Sequence, residues 1–250
     1  MRKLGLIGYP LGHSFSAGYF AEKFKKLNIT DCRYDNYPIE NIDLLTSLLK
    51  NETELIGLNV TIPYKEKVIP YLTELHPYAK GIGAVNTIKI NRLGEGVKLV
   101  GFNTDSYGFR QSLLPALKSS HKKALILGTG GAAKAVEWVL HDLNLETVYV
   151  SRFPKNDKIL SYTDLTANVI KEYTVIVNSS PLGMYPNTGA CPAIPYEHIG
   201  VSHILYDLIY NPLKTLFLQY GEQQGATIIN GLRMLQLQAD KAWEIWNSQH

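Results

Sequence analysis

Lys123-Ala-Leu-Ile-Leu-Gly128-Thr-Gly130-Gly131-Ala132-Ala133-Lys-Ala-Val136 is the stretch whose reading decides the fold. Residues 124–127 suit a strand buried on both faces, and Gly128 and Gly130 then make a turn that opens into a helix starting near Gly131. That order is the first βα turn of a dinucleotide-binding unit. The first glycine permits the tight turn, and the second lets backbone N–H groups approach a pyrophosphate at the positive end of the helix. Ala133, in the third position, is small enough for close packing of helix on strand. The same turn also occurs where nothing binds, so by itself it leaves both readings open.

The end of the following strand separates the two dinucleotides. A helix over residues 132–143 leads to Thr147-Val148-Tyr149-Val150, a second strand ending at Ser151-Arg152. Arg152 stands close to the ~20-residue spacing past the glycines at which a carboxylate would take the ribose 2′-hydroxyl of NAD. A guanidinium there, with Lys155 three residues on, matches a 2′-phosphate and favours NADP over NAD. The plainer alternative is a solvated basic turn.

The 250 residues suffice for one large or two modest domains, and 45% apolar with 19% charged residues is a globular composition. A net charge of +3, with no run of like charges, points to neither nucleic acid nor membrane as a partner. Met1-Arg2-Lys3 runs directly into a strand pattern, and Cys32 and Cys191 are too isolated for a disulfide framework or a metal site. These features together predict a cytoplasmic protein without metal, and they leave monomer and homodimer equally open.

From the start of the chain, residues 4–8 read as a buried strand followed by the loop Tyr9-Pro10-Leu11-Gly12-His13-Ser14-Phe15-Ser16. A helix follows with Phe20, Phe24 and Leu27 on one face. Ser14 and Ser16 either cap that helix or offer hydroxyls to an anion at its N-terminus. Residues 33–39 read as a strand and 42–49 as a helix with Leu44, Leu45, Leu48 and Leu49 inward. Residues 55–62 form a strand that ends in polar side chains, Asn59 and Thr61, and runs into a helix start led by Pro63 that carries Lys65. Residues 71–79 look helical, and Gly81-Ile82-Gly83-Ala84-Val85-Asn86-Thr87 is a glycine-rich loop. A hairpin over residues 88–102 turns at 92–96 and delivers Asn103-Thr104-Asp105 to a helix over 106–118, which Thr104 or Asp105 would cap.

Past Arg152, residues 157–171 read as linkers with a helical turn, and 174–178 as another buried parallel strand. The loop Ser179–Met184 lies at its carboxyl end, on the edge where the nicotinamide half of a dinucleotide would lie. Strands over 204–207 and 226–230 flank a helix over 213–224, and Gly231 ends the last strand. The final helix, 232–247, turns Leu235, Trp243 and Trp246 to a core and sets Gln238 where it could face a cleft.

Taken together, the polar loop ends resemble the shikimate dehydrogenase family. The matching stretches are Gly8-Tyr-Pro-Leu-Gly-His13-Ser14-Phe-Ser16, Gly57-Leu-Asn59-Val-Thr61-Ile-Pro63-Tyr-Lys65, Gly83-Ala-Val-Asn86-Thr87 and Gly101-Phe-Asn103-Thr104-Asp105-Ser-Tyr-Gly108-Phe109. They continue with Leu127-Gly-Thr-Gly-Gly-Ala-Ala133, Asn178-Ser-Ser-Pro-Leu-Gly183-Met184, Asp207-Leu-Ile-Tyr210 and Asn230-Gly-Leu-Arg-Met234-Leu-Gln-Leu-Gln238. In this order they run from residue 8 to residue 238.

The resemblance implies two α/β domains with a cleft between them. Residues 1–105 would bind substrate and hold the catalytic groups, 106–231 would form a Rossmann-like NADP domain with a mainly parallel sheet, and 232–250 would return to the substrate domain. It also implies reversible, NADPH-dependent reduction of 3-dehydroshikimate to shikimate on the way to aromatic amino acids. Motif by motif, the catalytic pair falls on Lys65 and Asp105, and both would also touch substrate. Further substrate contacts fall on Ser14, Ser16, Thr61, Asn86, Tyr210 and Gln238, and cofactor contacts on Gly128, Gly130, Gly131, Ala132, Arg152, Leu208 and Gly231. The serines would take the substrate carboxylate.

Some positions depart from the family pattern. Ala17 replaces a usual proline, Tyr19-Phe20 stands where His-Asn is common, and Ser151-Arg152-Phe153 replaces Asn-Arg-Thr, with Lys155 one place before the second basic residue. Three rivals remain: an NAD-preferring quinate/shikimate enzyme, which Arg152 opposes; a non-catalytic NADP-binding regulator, which Lys65 and Asp105 oppose; and another two-domain reductase, which leaves Ser14, Asn86 and Gln238 unexplained.

Overall fold

Two six-stranded sheets organise the described residues. The computed structural model describes residues 1–12, 15–94 and 96–248. It falls into two compact units, Met1–Thr104 with Gln238–His250, and Asp105–Leu237. Among the described residues no helix is long and apolar enough to cross a membrane.

The first unit contains β1 (Arg2–Gly8), α1 (Phe15–Lys26), β2 (Cys32–Pro38), α2 (Leu44–Asn51), β3 (Leu55–Val60), β4 (Glu74–Leu75), α3 (Pro77–Ile82), β5 (Thr87–Leu93) and β6 (Gly96–Phe102). The second contains α4 (Thr104–Leu113) from Asp105 on, β7 (Lys123–Leu127), α5 (Gly131–Asp142), β8 (Glu146–Val150), β9 (Ile159–Leu160), α6 (Ala167–Glu172), β10 (Val175–Asn178), β11 (Ile204–Asp207), α7 (Leu216–Gln223) and β12 (Thr227–Ile229). The last helix, α8 (Leu232–Asn247), begins in the second unit and belongs to the first from Gln238.

In the first unit the sheet order is β2-β1-β3-β5-β6-β4. β2, β1 and β3 run parallel, and β5 and β6 form the antiparallel hairpin read from the sequence. Alternate residues feed two cores. Ile7, Leu45, Leu58 and Ile88 lie in one; Leu4, Leu6, Phe20, Phe24 and Trp246 lie in the other. Trp246 is buried, its indole N–H donates to Ile88 O at 3.0 Å, and it fills the space over Gly57. A Cβ at Gly57 would lie 2.2 Å from the indole, so only glycine lets the ring reach the sheet.

In the second unit the order β12-β11-β10-β7-β8-β9 is wholly parallel. It is the doubly wound order of a dinucleotide-binding fold, in which ligands sit at the carboxyl ends of the strands where the winding reverses, here between β7 and β10. Ala124, Ile126, Val175 and Val177 pack on one face, Leu125, Leu127 and Ile176 on the other. Burial of both faces explains the unbroken apolar runs.

Several local expectations are corrected. Leu27 and Leu44 are exposed, since α1 ends at Lys26 and Leu44 is the first residue of α2, whose Leu45, Leu48 and Leu49 face the core as expected. No helix starts at Pro63, because the Lys65 carbonyl accepts from Val85 N–H at 2.7 Å and Tyr64 is pinned by its hydroxyl to Ile39 O at 2.6 Å. Residues 71–79 are not one helix: Thr73 and His76 donate their N–H groups to Leu99 O and Gly101 O beside β6, so the chain stays extended until Pro77. Residues 157–171 contain β9, a two-residue strand too short for a pattern. Helix α7 begins at Leu216, where Thr215 caps it, and Leu213 is exposed. On α8, Met234 is buried in the core of the second unit while Leu235 is half-buried.

Candidate functional site

In the first unit, three separate segments meet at Asn86. Its Nδ2 donates to Thr104 Oγ1 at 3.0 Å and to Gln238 Oε1 at 3.4 Å, while its Oδ1 accepts Thr104 N–H at 2.6 Å. Helix α4 is therefore capped from another segment, and Thr104 and Asp105 lie inside its first turn. Asp105 is buried there, where an acid gains from the helix dipole.

The network runs on beneath the sheet end. Asn59 Nδ2 donates to Asn86 O and Thr87 Oγ1, both at 3.2 Å, which fixes its amide so that Oδ1 accepts the Tyr34 hydroxyl at 2.8 Å. Burial pushes the Tyr34 phenol up, against a hydrogen bond with the Ser16 side chain. Ser16, half-buried in the first turn of α1, is thus linked through Tyr34 and Asn59 to Asn86. Tyr34→Phe would leave Asn59 Oδ1 without its donor, so the expected cost is about 1–2 kcal/mol in urea unfolding. Unchanged stability would mean that the network does not constrain the unit.

Thr61 and Lys65 are half-buried on the segment after β3. Thr61 N–H donates to Ile7 O at 2.9 Å, and the Lys65 carbonyl is tied to Val85, the neighbour of Asn86 in sequence. Ser14 lies outside the described residues.

In the second unit, Gly128 has φ +112, a conformation that a side chain would strain, and a Cβ there would come 3.0 Å from Ser179 Oγ. Gly130 is the N-cap of the twelve-residue α5, and nothing lies within 4 Å of where its Cβ would be. Gly131 and Ala132 in the first turn are half-buried. An uncluttered glycine turn at a helix N-terminus fits a pyrophosphate, with the N–H groups as donors. Arg152 is exposed beyond β8, and its charge acts on the phenol of Tyr162; Lys155 is exposed as well.

Leu208 and Gly231 meet through their backbones, and Asp207 holds Ile209 beside them. Leu208 N–H donates to Asn178 O, and Gly231 N–H donates to Ile209 O, both at 3.0 Å. A Cβ at Gly231 would sit 2.1 Å from Leu208 O, so the two segments touch only because residue 231 is glycine. Asp207, fully buried, accepts from Thr215 Oγ1 at 2.6 Å, Ile209 N–H at 3.0 Å and Asn178 Nδ2 at 3.1 Å. Burial nevertheless pushes its carboxyl up to about 6. Tyr210, on the loop it holds, is half-buried.

Tyr34, Asn178, Asp207 and Thr215 are given no role by the sequence patterns above. For Asn178 and Asp207 a signal existed: each ends an apolar run, and in adjacent parallel strands they are register partners. Tyr34 carried none, since a tyrosine within a strand reads as core.

Comparison with known proteins agrees with this geometry. A model of the shikimate dehydrogenase substrate binding domain matches residues 6–88. Shikimate dehydrogenase (NADP(+)) of Methanosphaera stadtmanae is 36% identical over 262 residues, 98% of this chain and 91% of that one. A chorismate mutase/shikimate 5-dehydrogenase fusion protein from Clostridium acetobutylicum is 38% identical with a TM-score of 0.86, covering 98% of this chain and 91% of the other. Shikimate 5-dehydrogenase from Thermus thermophilus, solved in complex with NADP(H) and shikimate, is 29% identical with a TM-score of 0.85, covering 99% and 94%. On these likenesses, which span nearly its whole length, the chain belongs to the shikimate dehydrogenase family.

Proposed function

We propose that the chain is an NADP-dependent shikimate dehydrogenase, reducing 3-dehydroshikimate reversibly to shikimate on the route to aromatic amino acids in the cytoplasm. The observation that carries this reading is the convergence of Asn86, Thr104 and Gln238, three family-motif residues from distant segments, on one hydrogen-bonded cluster. Residues 1–105 supply substrate binding and residues 106–231 cofactor binding, with the last helix returning to the former.

NADPH, when bound, supplies the hydride to the carbonyl carbon. The chain supplies the rest. The Lys65 ammonium hydrogen-bonds the carbonyl oxygen and gives its proton to the alkoxide, and Asp105 holds and pairs the ammonium. Ser14 and Ser16 take the carboxylate. Thr61, Asn86, Tyr210 and Gln238 orient the ring hydroxyls. At the other end Gly128, Gly130, Gly131 and Ala132 offer backbone N–H groups to the pyrophosphate, Arg152 takes the 2′-phosphate, and Leu208 and Gly231 line the nicotinamide end. The reading is tested by incubating the protein with 3-dehydroshikimate and NADPH: shikimate should accumulate one for one with NADPH consumed, and no product would refute it.

A further inference from the structure

Asp207 is fully buried at the carboxyl end of β11, and its partners among the described residues, Thr215, Ile209 N–H and Asn178, are all neutral. A buried carboxylate without a cation is costly, and its raised pKa of about 6 expresses that cost. Hydrogen bonding does not account for it. An asparagine of the same shape would accept from Ile209 and Asn178 through Oδ1 and donate to Thr215 Oγ1 through Nδ2, with no charge to bury.

Asp207 adjoins Leu208 at the edge of β10 and β11, and on the cofactor reading above the nicotinamide half of the dinucleotide lies along that edge. The oxidised and reduced cofactors differ by one positive charge, carried on the nicotinamide ring. We infer that the buried Asp207 carboxylate makes this site discriminate between the two redox states, stabilising bound NADP⁺ relative to bound NADPH. Through low-dielectric protein a fixed negative charge acts over several ångströms on a cation while leaving the neutral ring almost untouched. On the enzyme, hydride departure to substrate is thereby favoured, while the overall equilibrium in solution is unchanged.

This inference rests on the NADP reading, and the test separates the two. The affinities of the full-length protein for NADP⁺, NADPH and 2′,5′-ADP are measured by fluorescence titration at pH 8, for wild type, Asp207→Asn and Asp207→Ser, with Thr215→Val as a variant that keeps the charge. Removing the charge should weaken NADP⁺ roughly 3- to 10-fold while NADPH and 2′,5′-ADP hold their wild-type affinities. Thr215→Val should leave the NADP⁺/NADPH ratio as in wild type. A merely structural role would move both dinucleotides together, and that result, or no change in either charge-removing variant, overturns the inference. Should Asp207→Asn not fold, Asp207→Ser carries the same comparison. Wild-type protein that binds neither dinucleotide would overturn the cofactor reading itself, and this inference with it.

Discussion

Lys65→Ala is expected to lower kcat by ~10²–10⁴-fold, the span for a positioned acid–base group, with a much smaller change in KM for shikimate. Reduction of a ketone leaves an alkoxide that must gain a proton, and Lys65 is the group assigned to deliver it. The backbone around it is held without the ammonium. Its carbonyl accepts Val85 N–H, and its neighbour Tyr64 is buried and bonded to Ile39 O. Truncating the side chain should thus remove chemistry and spare the fold, which unchanged thermal unfolding would verify. An unimpaired Lys65→Ala protein would remove the residue from the mechanism.

Arg152→Ala is expected to raise KM for NADP by roughly 10²-fold while KM for NAD stays near its wild-type value. The two cofactors differ only in the 2′-phosphate, and charge-assisted hydrogen bonds from one guanidinium are worth about 1.5–3 kcal/mol each. Arg152 lies exposed at the end of β8, so it is available to a ligand and its loss should not disturb the core. Lys155→Ala should have the smaller effect, because a lysine contributes a point charge without the bidentate fork. Steady-state assays with both cofactors decide it, and equal losses with NADP and NAD would assign Arg152 a role unrelated to the phosphate.

The second unit was legible in the sequence because a parallel sheet buried on both faces leaves continuous apolar runs. Leu125 and Leu127 pack on one face and Ala124 and Ile126 on the other, so all four of residues 124–127 read as core. The span 204–207 matches β11 residue for residue for the same reason. Residues 61–82 were not legible. Lys65 O and the N–H groups of Thr73 and His76 pair with Val85, Leu99 and Gly101, partners that a local period does not reveal. Leu27 and Leu44 illustrate the converse, apolar residues at the right spacing that the ends of their helices leave in solvent.

At the candidate site, sequence position marked the polar residues at strand ends but not how they pair. Asn86 and Gln238 are 152 residues apart and share a hydrogen bond, and Thr104, read as a cap, is itself capped by Asn86. Tyr34 joins Ser16 to Asn59 from within a strand whose pattern indicates only burial. The carboxylate of Asp207 is likewise hidden, since its having only neutral partners among the described residues is a property of the packed interior.

The most direct test follows absorbance at the reduced-nicotinamide band while purified protein is mixed with shikimate or quinate, each with NADP or NAD. Rapid reduction is expected with shikimate and NADP, and little with the other three mixtures. Activity mainly with NAD or with quinate would contradict the role given to Arg152 or the substrate, and silence in all four mixtures would contradict catalysis itself.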